Sequence, residues 1–239
     1  MPGSADVSAR STFMSFDVLA PHYTWMERLL AGRRLQRARV AHLDALAPCE
    51  RLMIAGVGHG HFLRAAATRF PALEILSIDS SPGMVAHARA QSRSIPNPDR
   101  LEFQTAALPK LRLASGRFDA IATHFFLDCF APDELTDVIA SLASAARAQA
   151  VWLVSDFSIP ARGWQRQRAR AIHAAMYAFF RPVTRIRARR VTPPDSFLRR
   201  EGFTLAARRS FDAGLVQSDL WSRATSASRD AIEVSSTPG

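Results

Sequence analysis

Leu52-Met53-Ile54-Ala55-Gly56-Val57-Gly58-His59-Gly60 is the stretch on which the fold turns. The run from Arg51 to Ala55 is short and apolar, and it ends in glycines at every second position. Such a run reads as a strand buried on both faces. Glycine lets the chain turn tightly out of a strand and approach a ligand with no Cβ in the way. His61 to Phe70 then reads as a helix that Pro71 ends. Strand, glycine turn and helix open a nucleotide-binding βαβ unit.

The same grammar continues downstream. Leu73 to Ile78 reads as a second strand closed by Asp79. Pro82 to Gln91 is a helix with Ser80 and Ser81 as candidate caps. Leu101–Thr105 and Phe118–Thr123 read as strands three and four. Pro132 to Arg147 is a helix with proline in its first turn, and Val151 to Ser155 is a fifth strand. Strands alternating with helices of this length predict a parallel sheet. Trp164 to Phe180 reads as a further helix. Phe203–Phe211 and Leu215–Trp221 read as a hairpin turning near Gly214. Upstream, Phe16, Leu19, Tyr23, Met26 and Leu30 recur at helical spacing around Pro21, and Arg33 to Leu46 is a second helical stretch.

The expected fold class is therefore α/β: a Rossmann-like doubly wound sheet, mostly parallel with an antiparallel final strand, and helices on both faces. The expected organisation is a flexible N-terminus over 1–15 and a single domain over 16–221. That domain has a helical cap over 16–48 and an Arg-rich segment over 161–210, and a flexible tail follows over 222–239.

Composition sets the outer limits. The chain has 239 residues, 48% of them apolar and 22% charged, which suits one globular domain. No apolar run reaches the roughly 18 residues that span a bilayer. Met1 to Ser15 has no apolar core of signal-peptide length, so a cytoplasmic protein is expected. Cys49 and Cys129 are too few for a disulfide framework or a zinc site, and no metal-ligand spacing is seen. The net charge is +10, and 161–210 alone carries thirteen Arg against two acids. That cluster reads as a solvated face or as a weak peripheral membrane contact through Arg181–Arg190, beside Met176, Tyr177, Phe179 and Phe180. No nucleic-acid partner is expected.

Asp79 stands where an acid can hydrogen-bond both ribose hydroxyls. Dinucleotide sites prefer G-x-G-x-x-G and seat a pyrophosphate on the helix N-terminus. The spacing here is G-x-G-x-G, which favours a ligand without a pyrophosphate.

These residues resemble the class I S-adenosylmethionine (SAM)-dependent methyltransferases. Leu52 to Gly60 resembles their first motif. Ile78-Asp79-Ser80-Ser81-Pro82-Gly83-Met84 resembles their second, in which the Asp binds ribose and the Met packs near adenine. Phe118-Asp119-Ala120-Ile121 resembles their fourth strand. Phe16-Asp17-Val18-Leu19-Ala20-Pro21-His22-Tyr23 resembles the leader of the ubiquinone/menaquinone-type branch. The resemblance runs from about Phe16 to Trp221. It implies SAM as cofactor, held by Gly56, Val57, Gly58, Gly60, Asp79, Ser80, Met84, His124 and either Gln104 or Ala106.

Two positions depart from the family pattern. Ile54 stands where the first motif usually carries an acid. After strand three, Gln104 or Ala106 fills the place of the usual Asp or Asn, depending on register. A degenerate nucleotide-binding module without catalysis is therefore the second reading. The first is methyl transfer to a small, hydrophobic or aromatic acceptor. His124 and Asp128, just past strand four, and Tyr23 in the leader are the candidate catalytic residues.

Overall fold

The computed structural model describes residues 32–184, 188 and 190–223. The expected 1–15 terminus, the leader helix with Tyr23, and the tail beyond 223 lie outside the described residues.

The elements are α1 (Gly32–Arg39), β1 (Arg51–Ala55), α2 (His61–Arg69), β2 (Glu74–Asp79), α3 (Pro82–Gln91), β3 (Leu101–Thr105), β4 (Phe118–His124), α4 (Pro132–Ala145), β5 (Ala146–Phe157), α5 (Gly163–Thr184), α6 (Asp195–Arg200), β6 (Phe203–Phe211) and β7 (Val216–Arg223). One seven-stranded sheet takes the order β3-β2-β1-β4-β5-β7-β6. Strands β1 to β5 run parallel, and β7 pairs antiparallel with both β5 and β6. The fold is thus Rossmann-like α/β. The strand order reverses between β1 and β4, and ligands of such sheets sit in the crevice beyond the strand ends at that point.

Side-chain alternation explains why both faces are covered. Met53 and Ala55 of β1 pack with Leu135, Val138, Ile139 and Leu142 of α4. Leu52 and Ile54 pack on the other face with Phe62, Leu63 and Ala66 of α2 and Ala88 of α3. A strand buried on both sides must be apolar throughout, which is why β1 reads as a continuous run.

Three elements differ from the sequence reading. The helix expected over Arg33–Leu46 stops at Arg39, and a 3-10 turn covers Leu43–Leu46. The Ser155 and Ser218 hydroxyls both donate to the Ala38 carbonyl, at 3.1 and 2.8 Å. The same carbonyl accepts the Ala41 N–H at 3.2 Å, so the chain closes a tighter turn there and the helix ends. Strand β5 begins at Ala146, directly after α4, because Ala146 pairs with Phe118. Local composition favours helix there, and the tertiary pairing overrides it. The short helix α6 was not expected; it buries Leu198 completely against the α4 face.

Candidate active site

The first glycine is placed by the sheet. The Gly56 N–H donates to the Ile78 carbonyl at 2.8 Å, so the chain leaves β1 still tied to β2. Gly56 has φ +78, and a Cβ there would stand 2.6 Å from Phe126 Cδ2. Gly58, at φ +50, would meet nothing within 4 Å, so its missing side chain leaves open space for a ligand.

Asp79 ends β2 beside this loop. Its Oδ2 accepts the Gly58 N–H at 3.2 Å and its Oδ1 accepts the Ser81 N–H at 3.0 Å. Burial pushes its pKa up, while these backbone donors pull it down. Ser81 Oγ accepts the Met84 N–H at 3.1 Å and so caps α3, with the Met84 side chain buried.

Gly56, Gly58, Asp79 and Met84 share one cavity of about 340 Å³, formed beyond the ends of β1, β2 and β4. That volume suits a small ligand. Its apolar wall includes Val57, Phe62, Met84, Leu108, Phe126 and Phe130; its polar groups include Arg39, Asp79, Ser80, His124, Cys129 and Glu134.

Most of the expected residues meet here: Gly56, Val57, Gly58, Asp79, Ser80, Met84, Ala106 and His124 all line the cavity. Gly60 does not. It precedes α2 at φ +76, and a Cβ there would lie 3.5 Å from Ala88, so its place is the packing of α2 on α3. Gln104 sits within β3, one residue before its end, and Ala106 takes the cavity position instead. Asp128 is not part of the wall, although the next residue, Cys129, is.

His124 ends β4 and is 9% exposed, with neither ring nitrogen hydrogen-bonded. Its ring meets Phe62 edge-on at 4.3 Å. Burial, with the charge of Arg39 as a lesser cause, pushes its pKa down to about 3. The ring is therefore neutral near pH 7 and a weak proton acceptor. The neutral ring offers one hydrogen-bond donor and one acceptor to a group in the cavity.

Arg39 is the main residue the sequence reading missed. It comes from α1, is 9% exposed, and lies over the Phe125 ring at 5.0 Å to the centroid. An arginine within an Arg-rich helix carries no local sign that it faces inward. Glu134, which lines the cavity from α4 while accepting the Ala131 N–H at 3.2 Å, was missed for the same reason.

Several arginines of the 161–210 cluster are held within the protein. Arg208 pairs with Asp219 at 2.7 Å and with Asp195 at 2.8 Å. Arg168 pairs with Asp212 at 3.0 Å, and Arg200 lies over Phe197. The side chains of Arg181, Arg185, Arg187 and Arg189 lie outside the described residues. Nothing among the described residues supports the expected membrane contact. No described helix is long and apolar enough to cross a membrane. Among the described residues no cluster of His, Cys, Asp or Glu could hold a metal ion.

Residues 53–149 match the family model described as a methyltransferase domain. The matched stretch runs from β1 into β5. Solved structures with this fold include an O-methyltransferase family protein from Burkholderia thailandensis, 18% identical with TM-score 0.69, covering 87% of this chain and 60% of that one. A second is the 1,6-didemethyltoxoflavin-N1-methyltransferase of Burkholderia thailandensis, with bound 1,6-didemethyltoxoflavin and S-adenosylhomocysteine. It is 18% identical with TM-score 0.58, and 94% of each chain is covered. A third is the magnesium protoporphyrin IX methyltransferase from Synechocystis PCC 6803 with bound S-adenosylhomocysteine, 19% identical with TM-score 0.59, covering 79% of this chain and 83% of that one. The chain thus spans about 60% of the length of the first of these. No curated protein sequence matches it. The cavity brings together a glycine with open space beside it, the Asp79 carboxylate and the Arg39 guanidinium.

Proposed function

We propose that this protein transfers the methyl group of SAM to a small acceptor with a hydrophobic or aromatic body. The observation that carries this is the junction of Gly58 and Asp79 within one cavity. Asp79 would take the ribose hydroxyls, Met84 would pack near the adenine, and Arg39 would pair with the methionyl carboxylate. SAM supplies an electrophilic methyl group on a sulfonium; the protein's task is to align the acceptor and exclude water. Phe125, Phe126 and Phe130 give the acceptor end an aromatic wall. The relatives support a small-molecule acceptor, since one of them binds 1,6-didemethyltoxoflavin. The leader over 16–23 supports a place nearest the ubiquinone/menaquinone-type branch, and a cytoplasmic location goes with that reading.

A second reading is favoured by two positions. Ile54 and Ala106 both lack the acid common in this class, and both line the cavity. Each missing charge-assisted contact costs about 1.5–3 kcal/mol, so a domain that holds SAM weakly and does not turn over is the rival.

Isothermal calorimetry with SAM and S-adenosylhomocysteine tests the first reading. Binding of both in the micromolar range is expected. No binding of either at millimolar concentration overturns it. Binding without S-adenosylhomocysteine release, across phenolic, quinol and heteroaromatic acceptors, supports the second reading.

A further inference from the structure

Ala55, at the end of β1, is in register with Ile78 on β2 and with Thr123 on β4. Asp79 and His124 are the next residues on those two strands. They therefore stand at one level on either side of the Gly56 turn, two strand spacings or roughly 10 Å apart along the sheet. A ligand held by its sugar on Asp79 has the β4 side of the cavity beyond it. On that side Phe125, Phe126, Cys129 and Phe130 follow His124 in the chain, and all of them line the cavity.

The polar side chains of the wall differ in what already occupies them. Asp79 accepts backbone N–H groups from Gly58 and Ser81, one on each oxygen. Glu134 Oε2 accepts the Ala131 N–H at 3.2 Å, and the Cys129 thiol donates to Asp128 Oδ1 at 3.7 Å. Among the described residues, His124 is the one wall side chain with buried polar atoms that lack a partner. Both its ring nitrogens are orphaned, and it is more than nine-tenths buried. A buried polar group left unpartnered costs about 1–3 kcal/mol, so a ligand that meets it gains by doing so.

The neighbours set what fits. Phe62 meets the His124 ring edge-on at 4.3 Å and holds it from the α2 side, and Phe126 meets Phe130 at 5.0 Å. Burial, with the charge of Arg39 as a lesser cause, keeps the ring neutral near pH 7. A neutral imidazole carries one N–H and one lone pair. An uncharged hydroxyl both donates and accepts, so it satisfies either tautomer. The aromatic wall favours that hydroxyl on a flat ring, because ring pairs gain about 0.5–1.5 kcal/mol beyond the area they bury.

We propose that His124 determines acceptor specificity by hydrogen-bonding the un-ionised hydroxyl of an aromatic acceptor beside Phe126 and Phe130. This rests on the methyl-transfer reading. The contact orients the acceptor, and the groups around Asp79 hold the cofactor without it.

Fluorescence titration of the full chain saturated with S-adenosylhomocysteine tests this, with 2-naphthol and naphthalene as probes. The wild type should bind 2-naphthol about tenfold more tightly than naphthalene. His124→Phe should make the two probes nearly equal. His124→Asn, which keeps a donor and an acceptor, should retain part of the preference. S-adenosylhomocysteine affinity should be unchanged in both variants. Side-chain nitrogen-15 spectra of the wild type need no variant to fold: a neutral histidine ring should shift on adding 2-naphthol and not on adding naphthalene. No preference for 2-naphthol in the wild type, a preference kept in His124→Phe, or histidine nitrogens indifferent to 2-naphthol overturns the proposal. So does weakened S-adenosylhomocysteine binding in a folded His124→Phe, which would place the ring on the cofactor. A chain that binds no S-adenosylhomocysteine fails the methyl-transfer reading itself.

Discussion

The Gly58 N–H donates to Asp79 Oδ2 at 3.2 Å, joining the glycine turn after β1 to the acid at the end of β2. One carboxylate thereby orders the loop and faces the cavity. Asp79→Ala should weaken S-adenosylhomocysteine by about 1.5–3 kcal/mol, which is roughly ten- to a hundredfold in Kd. Calorimetry reads this, and an unchanged Kd would remove Asp79 from the site.

The same residue makes binding depend on pH. Burial raises its pKa in the folded, ligand-free chain above the ordinary 3.8. Between 3.8 and that raised value the folded state binds more protons than the unfolded one, so stability from this group is present below the window and falls as pH rises through it. Ribose hydroxyls donate to the ionised form and pull the pKa back down. Cofactor affinity should therefore weaken as pH drops through the raised value, with proton release on binding at those pH values. Calorimetry in buffers of different ionisation enthalpy measures this; proton uptake would contradict it.

Gly56 and Gly58 should fail differently. Gly56→Ala places a Cβ against Phe126 at φ +78, so both fold and cavity suffer. A loss of about 1–3 kcal/mol in stability is expected from backbone strain alone. Gly58→Ala meets no protein atom within 4 Å, so it should cost less in Tm while its methyl intrudes on the ligand. Thermal unfolding beside S-adenosylhomocysteine titration separates them; equal Tm losses would argue against the open space at Gly58.

Arg39 should discriminate between ligands. S-adenosylhomocysteine carries a carboxylate that 5′-methylthioadenosine lacks. Arg39→Gln is expected to weaken the former by about 2 kcal/mol or more, since a buried charged hydrogen bond is lost, and to leave the latter nearly unchanged. Equal losses for both ligands would assign Arg39 to packing over Phe125.

Asp119 is predicted to matter for stability alone. It sits at the opposite end of β4, accepting the Glu50 and Arg51 N–H groups at 3.0 and 2.9 Å and pairing with Arg147 at 2.6 Å. Asp119→Ala should cost about 1–3 kcal/mol of stability by orphaning those donors. Chemical denaturation reads the loss, and S-adenosylhomocysteine affinity should not move.

The sequence by itself determined the layers of this protein. Five apolar runs separated by helical spacing, a glycine turn after the first and an acid closing the second are local patterns, and backbone sterics and side-chain periodicity make them legible one segment at a time. Phe118-Asp119 was legible as a motif, but its clamp on the start of β1 was not. Tertiary structure alone decided that Gly60 packs α2 on α3, that Ala106 rather than Gln104 meets the cavity, and that the helix after Gly32 stops where Ser155 and Ser218 claim the Ala38 carbonyl. It alone brought Arg39 to the wall. Burial and electrostatic coupling are properties of groups distant in the chain, and a residue's own neighbours carry no record of what the fold will set beside it.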